Sequence, residues 1–153
     1  MTFCFLGLGS NLRSPARQLN QAIQTLRNLP RSVITAQSKV YFSQPLGVRS
    51  QPPYLNMVIA LFTTLPPKRL LHYCQEIEHK HHRVRTRQWG ARTLDIDLLL
   101  YGEQQIQHHG LSIPHPELLN RDFVWAPLID IAPNAVMPGG ISIASAALKK
   151  TII

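Results

Sequence analysis

Trp89-Gly90-Ala91-Arg92-Thr93-Leu94-Asp95-Ile96-Asp97-Leu98-Leu99-Leu100 is aliphatic from Leu94 onward except for two carboxylates two positions apart. Aliphatic and β-branched neighbours of this kind suit a strand. Side chains on a strand alternate, so Asp95 and Asp97 share one face while Leu94, Ile96 and Leu98 take the other. Two neighbouring anions repel, and a hard divalent cation with oxygen ligands, Mg2+ above all, relieves that repulsion. Upstream stand Arg83, Arg85, Arg87 and Arg92, in a segment whose Gly90 reads as a loop. Arginines beside paired carboxylates suit phosphate oxygens, because each guanidinium offers two parallel donors. Metal and arginines together point to phosphate chemistry. The plainer alternative for this stretch is a buried strand with an Asp–Arg salt bridge beside a solvated basic loop.

Working outward, Phe3 to Leu8 reads as a buried strand that ends in Gly7-Leu8-Gly9-Ser10-Asn11. These glycines are no nucleotide loop, since neither Gly-Lys-Ser/Thr nor a third glycine follows. They predict a turn that needs either positive φ or close backbone packing. Ser14-Pro15 starts a helix whose Leu19, Ala22, Ile23, Leu26 and Leu29 share a face and which Pro30 stops. Val33 to Phe42 predicts a strand with one wet face, and Ser43 to Pro53 a loop long enough to bind something. Tyr54 and Asn56 open the strand Leu55 to Phe62 on a common face. They offer an aromatic plane beside an amide, or else a plain edge tyrosine and turn asparagine. Pro66-Pro67 opens a second helix that buries Leu70, Leu71, Cys74 and Ile77. Its basic end carries His79, His81 and His82, which explain themselves better by the helix dipole than as zinc ligands.

After the carboxylate strand, Tyr101-Gly102-Glu103 predicts a turn and Gln104 to Ile106 a short strand pairing back. His115, held between Pro114 and Pro116, is a loop histidine able to meet a phosphate or an adenine edge. Glu117 to Asp122 predicts one or two helical turns, and Trp125 to Ile131 and Ser142 to Lys150 predict short helices. Strand, helix, strand, strand, helix, strand is the ferredoxin-like βαββαβ order. The expected class is therefore α+β, an antiparallel sheet with helices packed on it and appended C-terminal elements.

The 153 residues suit one domain over 1–153, and 44% hydrophobic against 16% charged residues suits a globular core. A net charge of +8 attracts polyanions without choosing among them. Cys4 and Cys74 have no Cys-x-x-Cys spacing and read as reduced core thiols. The N-terminus lacks a signal-peptide pattern and no run reaches membrane-spanning length, so the expected place is the cytoplasm.

The run Gly90 to Leu99 resembles the signature of the 6-hydroxymethyl-7,8-dihydropterin pyrophosphokinase family of the folate pathway, and the resemblance covers nearly the whole chain. It departs at Gln88, where the family usually has a charged residue, and at Pro116, where a tyrosine often follows Pro-His. The resemblance implies transfer of pyrophosphate from ATP to the pterin alcohol with release of AMP. It implies two Mg2+ ions on Asp95 and Asp97, with Arg83 and Arg92 also catalytic. For ATP it implies Gln75, Glu78, Arg83, Arg85, Trp89, Arg92, Leu98, Ser112, His115 and Arg121. For the pterin it implies Ser43, Pro45, Leu46, Tyr54, Asn56, Trp89, Asp95 and Phe123, with Trp89 folding over the filled site. The partners expected are these two small molecules, with no nucleic acid or membrane, and the chain acting as a monomer. Three rivals remain at this level, one of them a non-catalytic pterin-binding protein that would bind the ring yet ignore ATP. A basic RNA-binding module should show interleaved exposed aromatics, which Leu94 to Leu100 lacks, and a Mg-dependent nucleotidyl transferase would release pyrophosphate instead of AMP.

Overall fold

The computed structural model describes residues 1–11, 14–43, 54–81 and 94–151. Its elements are β1 (Thr2–Ser10), α1 (Pro15–Arg27), β2 (Ser32–Gln37), β3 (Tyr41–Ser43), β4 (Tyr54–Thr63), α2 (Pro67–His81), β5 (Asp95–Tyr101), β6 (Ile106–His108), β7 (Leu111–Ile113), α3 (Asp122–Ile131) and α4 (Ile143–Thr151). The main sheet runs β2-β4-β1-β5, with β3 also on β4, and its pairs are antiparallel. This is the expected α+β arrangement.

The period-two pattern sorts the sheet into two faces. Cys4, Leu6, Leu8, Met57, Ile59, Leu61, Ile96 and Leu98 form one core with Leu19, Ala22, Ile23 and Leu26 of α1 and Leu70, Cys74 and Ile77 of α2. A second core lies on the opposite face, where Val58, Leu99 and Leu100 meet Leu118, Leu128 and Ile143. The appended C-terminal elements thus cover part of the face that α1 and α2 leave open. A register shift between Phe5 and Leu6 allows this, since it adds a residue to β5 around Leu99. Among the described residues no helix is long and apolar enough to cross a membrane.

Three local expectations change. The predicted strand Val33 to Phe42 is split into β2 and β3. At the break, buried Ser38 donates its N–H to Val58 O (2.8 Å) while its hydroxyl accepts the Val58 N–H (2.9 Å), replacing ladder bonds. The strand expected to pair back on β5 instead pairs forward, β6 with β7. Glu117 to Asn120 forms turns, with Leu118 N–H on His115 O and Asn120 N–H on Glu117 O, and α3 starts only at Asp122. Ser14 does stand at the α1 N-cap before Pro15, but with φ 59° and no side-chain capping bond.

Candidate active site

Gly7 and Gly9 lie inside β1, not in a turn, and neither has a positive φ. The expected turn is overturned, and the close backbone approach arises instead from the register of the sheet. Gly9 stands between Asn56 of β4 and Asp95 of β5, and Gly7 between Val58 and Asp97. A Cβ on Gly9 would come to 3.0 Å from Asn56 Oδ1, and one on Gly7 to 3.4 Å from the Leu99 side chain. Glycine in a central strand weakens it, so its presence at alternate positions marks a floor that must stay bare.

That floor underlies a cavity of about 420 Å³, lined by Tyr54, Asn56, Asp95, Asp97, Arg121 and Phe123 among others. A second cavity of about 260 Å³ adjoins it, lined by Ile96, Asp97, Leu98, Gly110, Ser112 and His115 among others. Asp97 lines both. Tyr54, Asn56, Asp95 and Phe123, expected for the pterin, line the larger cavity together with Arg121, expected for the nucleotide, while Leu98, Ser112 and His115 line the smaller, and Asp97 is common to both.

The edges of the cavities are held by short-range bonds. His115 donates its N–H to Leu99 O at 3.0 Å, and its Nδ1 accepts the Glu117 N–H at 3.1 Å. With Nδ1 an acceptor, the neutral ring carries its proton on Nε2, which lies 3.9 Å from Asp97 Oδ2. The Arg121 guanidinium lies over the Phe123 ring, 6.0 Å from its centroid, so both enter the larger cavity from the start of α3 as one stacked unit. Across the sheet, Tyr41, the partner of Asn56 in the β3–β4 ladder, donates its hydroxyl to Asp130 of α3. That bond, with burial and the Asp130 charge adding to it, pushes the Tyr41 phenol up to about 12.

Glu78 and Gln75 of α2 line neither cavity. The Glu78 carboxylate instead accepts the backbone N–H of Ile96 at 2.8 Å. His81, at the end of α2, shares a hydrogen bond of 2.5 Å with Gln18 of α1. Beneath the carboxylates, burial above all, with the charges of Glu78 and Asp97, pushes the Cys74 thiol up to about 12. Cys4 and Cys74 are both free and buried. Pro45, Leu46, Arg83, Arg85, Trp89 and Arg92 lie outside the described residues, as does the side chain of Ser43, whose backbone ends β3. Gly7, Gly9, Val58 and Val124 line the larger cavity without having been singled out as site residues. For the glycines the signal was present, alternate glycines on an otherwise apolar strand.

An antiparallel sheet with a bare floor and two cavities that share a carboxylate has the form of a site for two small ligands side by side. A family model described as 7,8-dihydro-6-hydroxymethylpterin-pyrophosphokinase (HPPK) matches residues 5–133, and the chain belongs to this family. It is 44% identical over 138 residues to the 2-amino-4-hydroxy-6-hydroxymethyldihydropteridine pyrophosphokinase of Haemophilus influenzae, covering 90% of this chain and 86% of that one. It is 37% identical over 127 residues to the protein of that name from Bacillus subtilis, covering 83% and 76%. Among solved structures it is similar to the wild-type Plasmodium falciparum HPPK-DHPS, with a TM-score of 0.72 at 14% identity, covering 98% of this chain. The chain spans only 44% of that one, and the likeness at this identity is one of fold.

Proposed function

We propose that the two cavities are where this chain carries out the reaction of its family, moving pyrophosphate from ATP to 6-hydroxymethyl-7,8-dihydropterin and releasing AMP. The observation that carries the assignment is Asp97, which lines both cavities. In this reading the pterin occupies the larger one, its ring against Tyr54 and Phe123 and its polar edge toward the Asn56 amide. ATP occupies the smaller, beside Leu98, Ser112 and His115, with Gln75 nearby. The pterin hydroxyl oxygen attacks the β-phosphorus and the bond to the α-phosphate breaks. No protein nucleophile is needed.

Asp95 and Asp97 suit Mg2+. They present hard oxygens on one face over a glycine floor, and Asp97 is half exposed, with a side-chain exposure of 49%. Among the described residues no third His, Cys, Asp or Glu completes a closed cage. Mg2+ favours such open sites, because it is commonly held by one or two carboxylates and shares the rest of its sphere between water and phosphate oxygens. Two ions bound there would compensate charge on the triphosphate and lower the pKa of the hydroxyl. Arg121, with Arg83, Arg85 and Arg92, would balance charge on the transferring group as it grows. The His115 Nε2–H is aimed to donate to an oxygen beside Asp97. Trp89 would close over the bound substrates and exclude water, which would otherwise compete for the phosphoryl group, while Ser43, Pro45 and Leu46 supply pterin contacts. We take the chain to work as a single domain and a monomer in the cytoplasm.

Incubation with ATP, Mg2+ and 6-hydroxymethyl-7,8-dihydropterin, followed by chromatography, tests this. AMP should appear in step with the pterin diphosphate. Pyrophosphate release would indicate a nucleotidyl transferase instead.

A further inference from the structure

We propose that Glu78 is a positioning residue for the paired carboxylates, acting through the backbone of Ile96. The inference rests on the assignment of Asp95 and Asp97 as metal ligands and extends it to how they are held. β5 ends the strand order of the main sheet, and among the described residues no further strand receives its outer amides. The N–H of Ile96, the residue between the two carboxylates, is received by Glu78 Oε2 at 2.8 Å. Glu78 follows buried Ile77 on α2, and Ile96 is itself 4% exposed in the core that α2 packs against. The side chain of Ile96 is therefore fixed by packing on one face and its amide by Glu78 at the edge. Asp95 and Asp97 are left only the opposite face. An edge amide bonded to water would leave this short segment free to twist and to change the separation of its two carboxylates.

A carboxylate or an amide oxygen at this position can accept the Ile96 N–H. Glu78 is not among the described residues that line the smaller cavity, and the experiment separates its bond to Ile96 from a direct nucleotide contact.

The test compares Glu78→Gln, which keeps an acceptor, with Glu78→Ala and Glu78→Met, which remove it. Glu78→Met keeps the length of the side chain where Glu78→Ala fails to fold. Amide hydrogen exchange at Ile96 is measured without substrates, and Mg2+ is titrated against binding of a non-hydrolysable ATP analogue. Loss of the acceptor should speed Ile96 exchange by roughly tenfold and raise the half-saturating Mg2+ concentration by roughly tenfold, with Glu78→Gln within about twofold of the unaltered chain. Unchanged exchange and Mg2+ response in Glu78→Met overturn the proposal. So does a Glu78→Gln variant that loses analogue affinity as fully as Glu78→Met at unchanged Mg2+ dependence, which marks a direct nucleotide contact. Analogue binding by the unaltered chain that ignores Mg2+ overturns the metal site itself and this proposal with it.

Discussion

Alternate residues of the same three strands do opposite work. Toward α1 and α2, β1, β4 and β5 present Leu6, Leu8, Met57, Ile59, Ile96 and Leu98, none more than 4% exposed. One residue along each strand, the other face presents Gly7, Gly9, Asn56, Asp95 and Asp97. The first face carries the larger of the two cores, while on the second the smaller core is built on Val58, Leu99 and Leu100 beside the site. The second carries two glycines that weaken a strand and two carboxylates that repel one another. The difference teaches that the helix face stabilises the site face, and that the carboxylates are tolerated where they are because their strand is anchored from behind. A one-residue slip of β5 would exchange Asp97 with Leu98 and destroy both faces together.

The comparison is broken most severely at Asp97, which touches both cavities and no core. Asp97→Ala should lower kcat by about a thousandfold, the scale of losing a main electrostatic contact in a transition state. Its melting temperature should equal or exceed that of the unaltered chain, because a like-charge repulsion is removed. A large fall in melting temperature would show that Asp97 serves the fold. Leu6→Ala is the converse. Leu6 is 0% exposed between the sheet and the helices, and its truncation should cost about 3 kcal/mol in denaturant unfolding. Activity per folded molecule should stay within a few-fold, and a thousandfold loss would deny the division between faces.

Gly9→Ala sharpens the comparison within the site face. The added methyl would stand 3.0 Å from the oxygen of the Asn56 amide, which is itself only 8% exposed and has little room to retreat. Displacing that amide by a few tenths of an ångström should raise KM for the pterin by roughly tenfold. Gly9 does not line the smaller cavity, so KM for ATP should not move. Parallel losses for both substrates would indicate one shared space.

These faces were partly legible in the sequence. Asp95-Ile96-Asp97 announces both its strand and its shared carboxylate face, because a period of two needs nothing beyond the strand itself. Tyr54 and Asn56 follow by the same rule. The glycines of β1 were misplaced at a turn because a glycine pair reads locally as freedom, whereas here it reflects what stands across the sheet, Asn56 and Leu99. The break at Ser38 has the same origin, a hydroxyl bonding to a residue far along the chain, Val58. The resemblance implies a nucleotide contact for Glu78, and its bond to the Ile96 amide is legible only in the fold.

The smallest effect lies at the junction of the two faces, where Cys74 sits under Asp97 and Glu78. Burial, with those two charges adding to it, raises this thiol from 9.0 to about 12, and burial raises Cys4 as well. In the unfolded chain the thiols ionise near 9, so above that pH the unfolded state binds fewer protons than the folded one and folding stability falls. The stabilisation that goes with the neutral thiol is complete below pH 9 and is lost as the pH rises toward 12. At pH 9.5 Cys74 should account for about 1 kcal/mol of lost stability relative to neutral pH. Cys74→Ala removes a little packing at every pH but also removes this slope. Its unfolding free energy, measured in denaturant from pH 7 to 10, should decline less steeply than that of the unaltered chain. Parallel curves would mean that Cys74 is reached by water, and that the core beneath the carboxylates is wetter than the other buried side of the sheet.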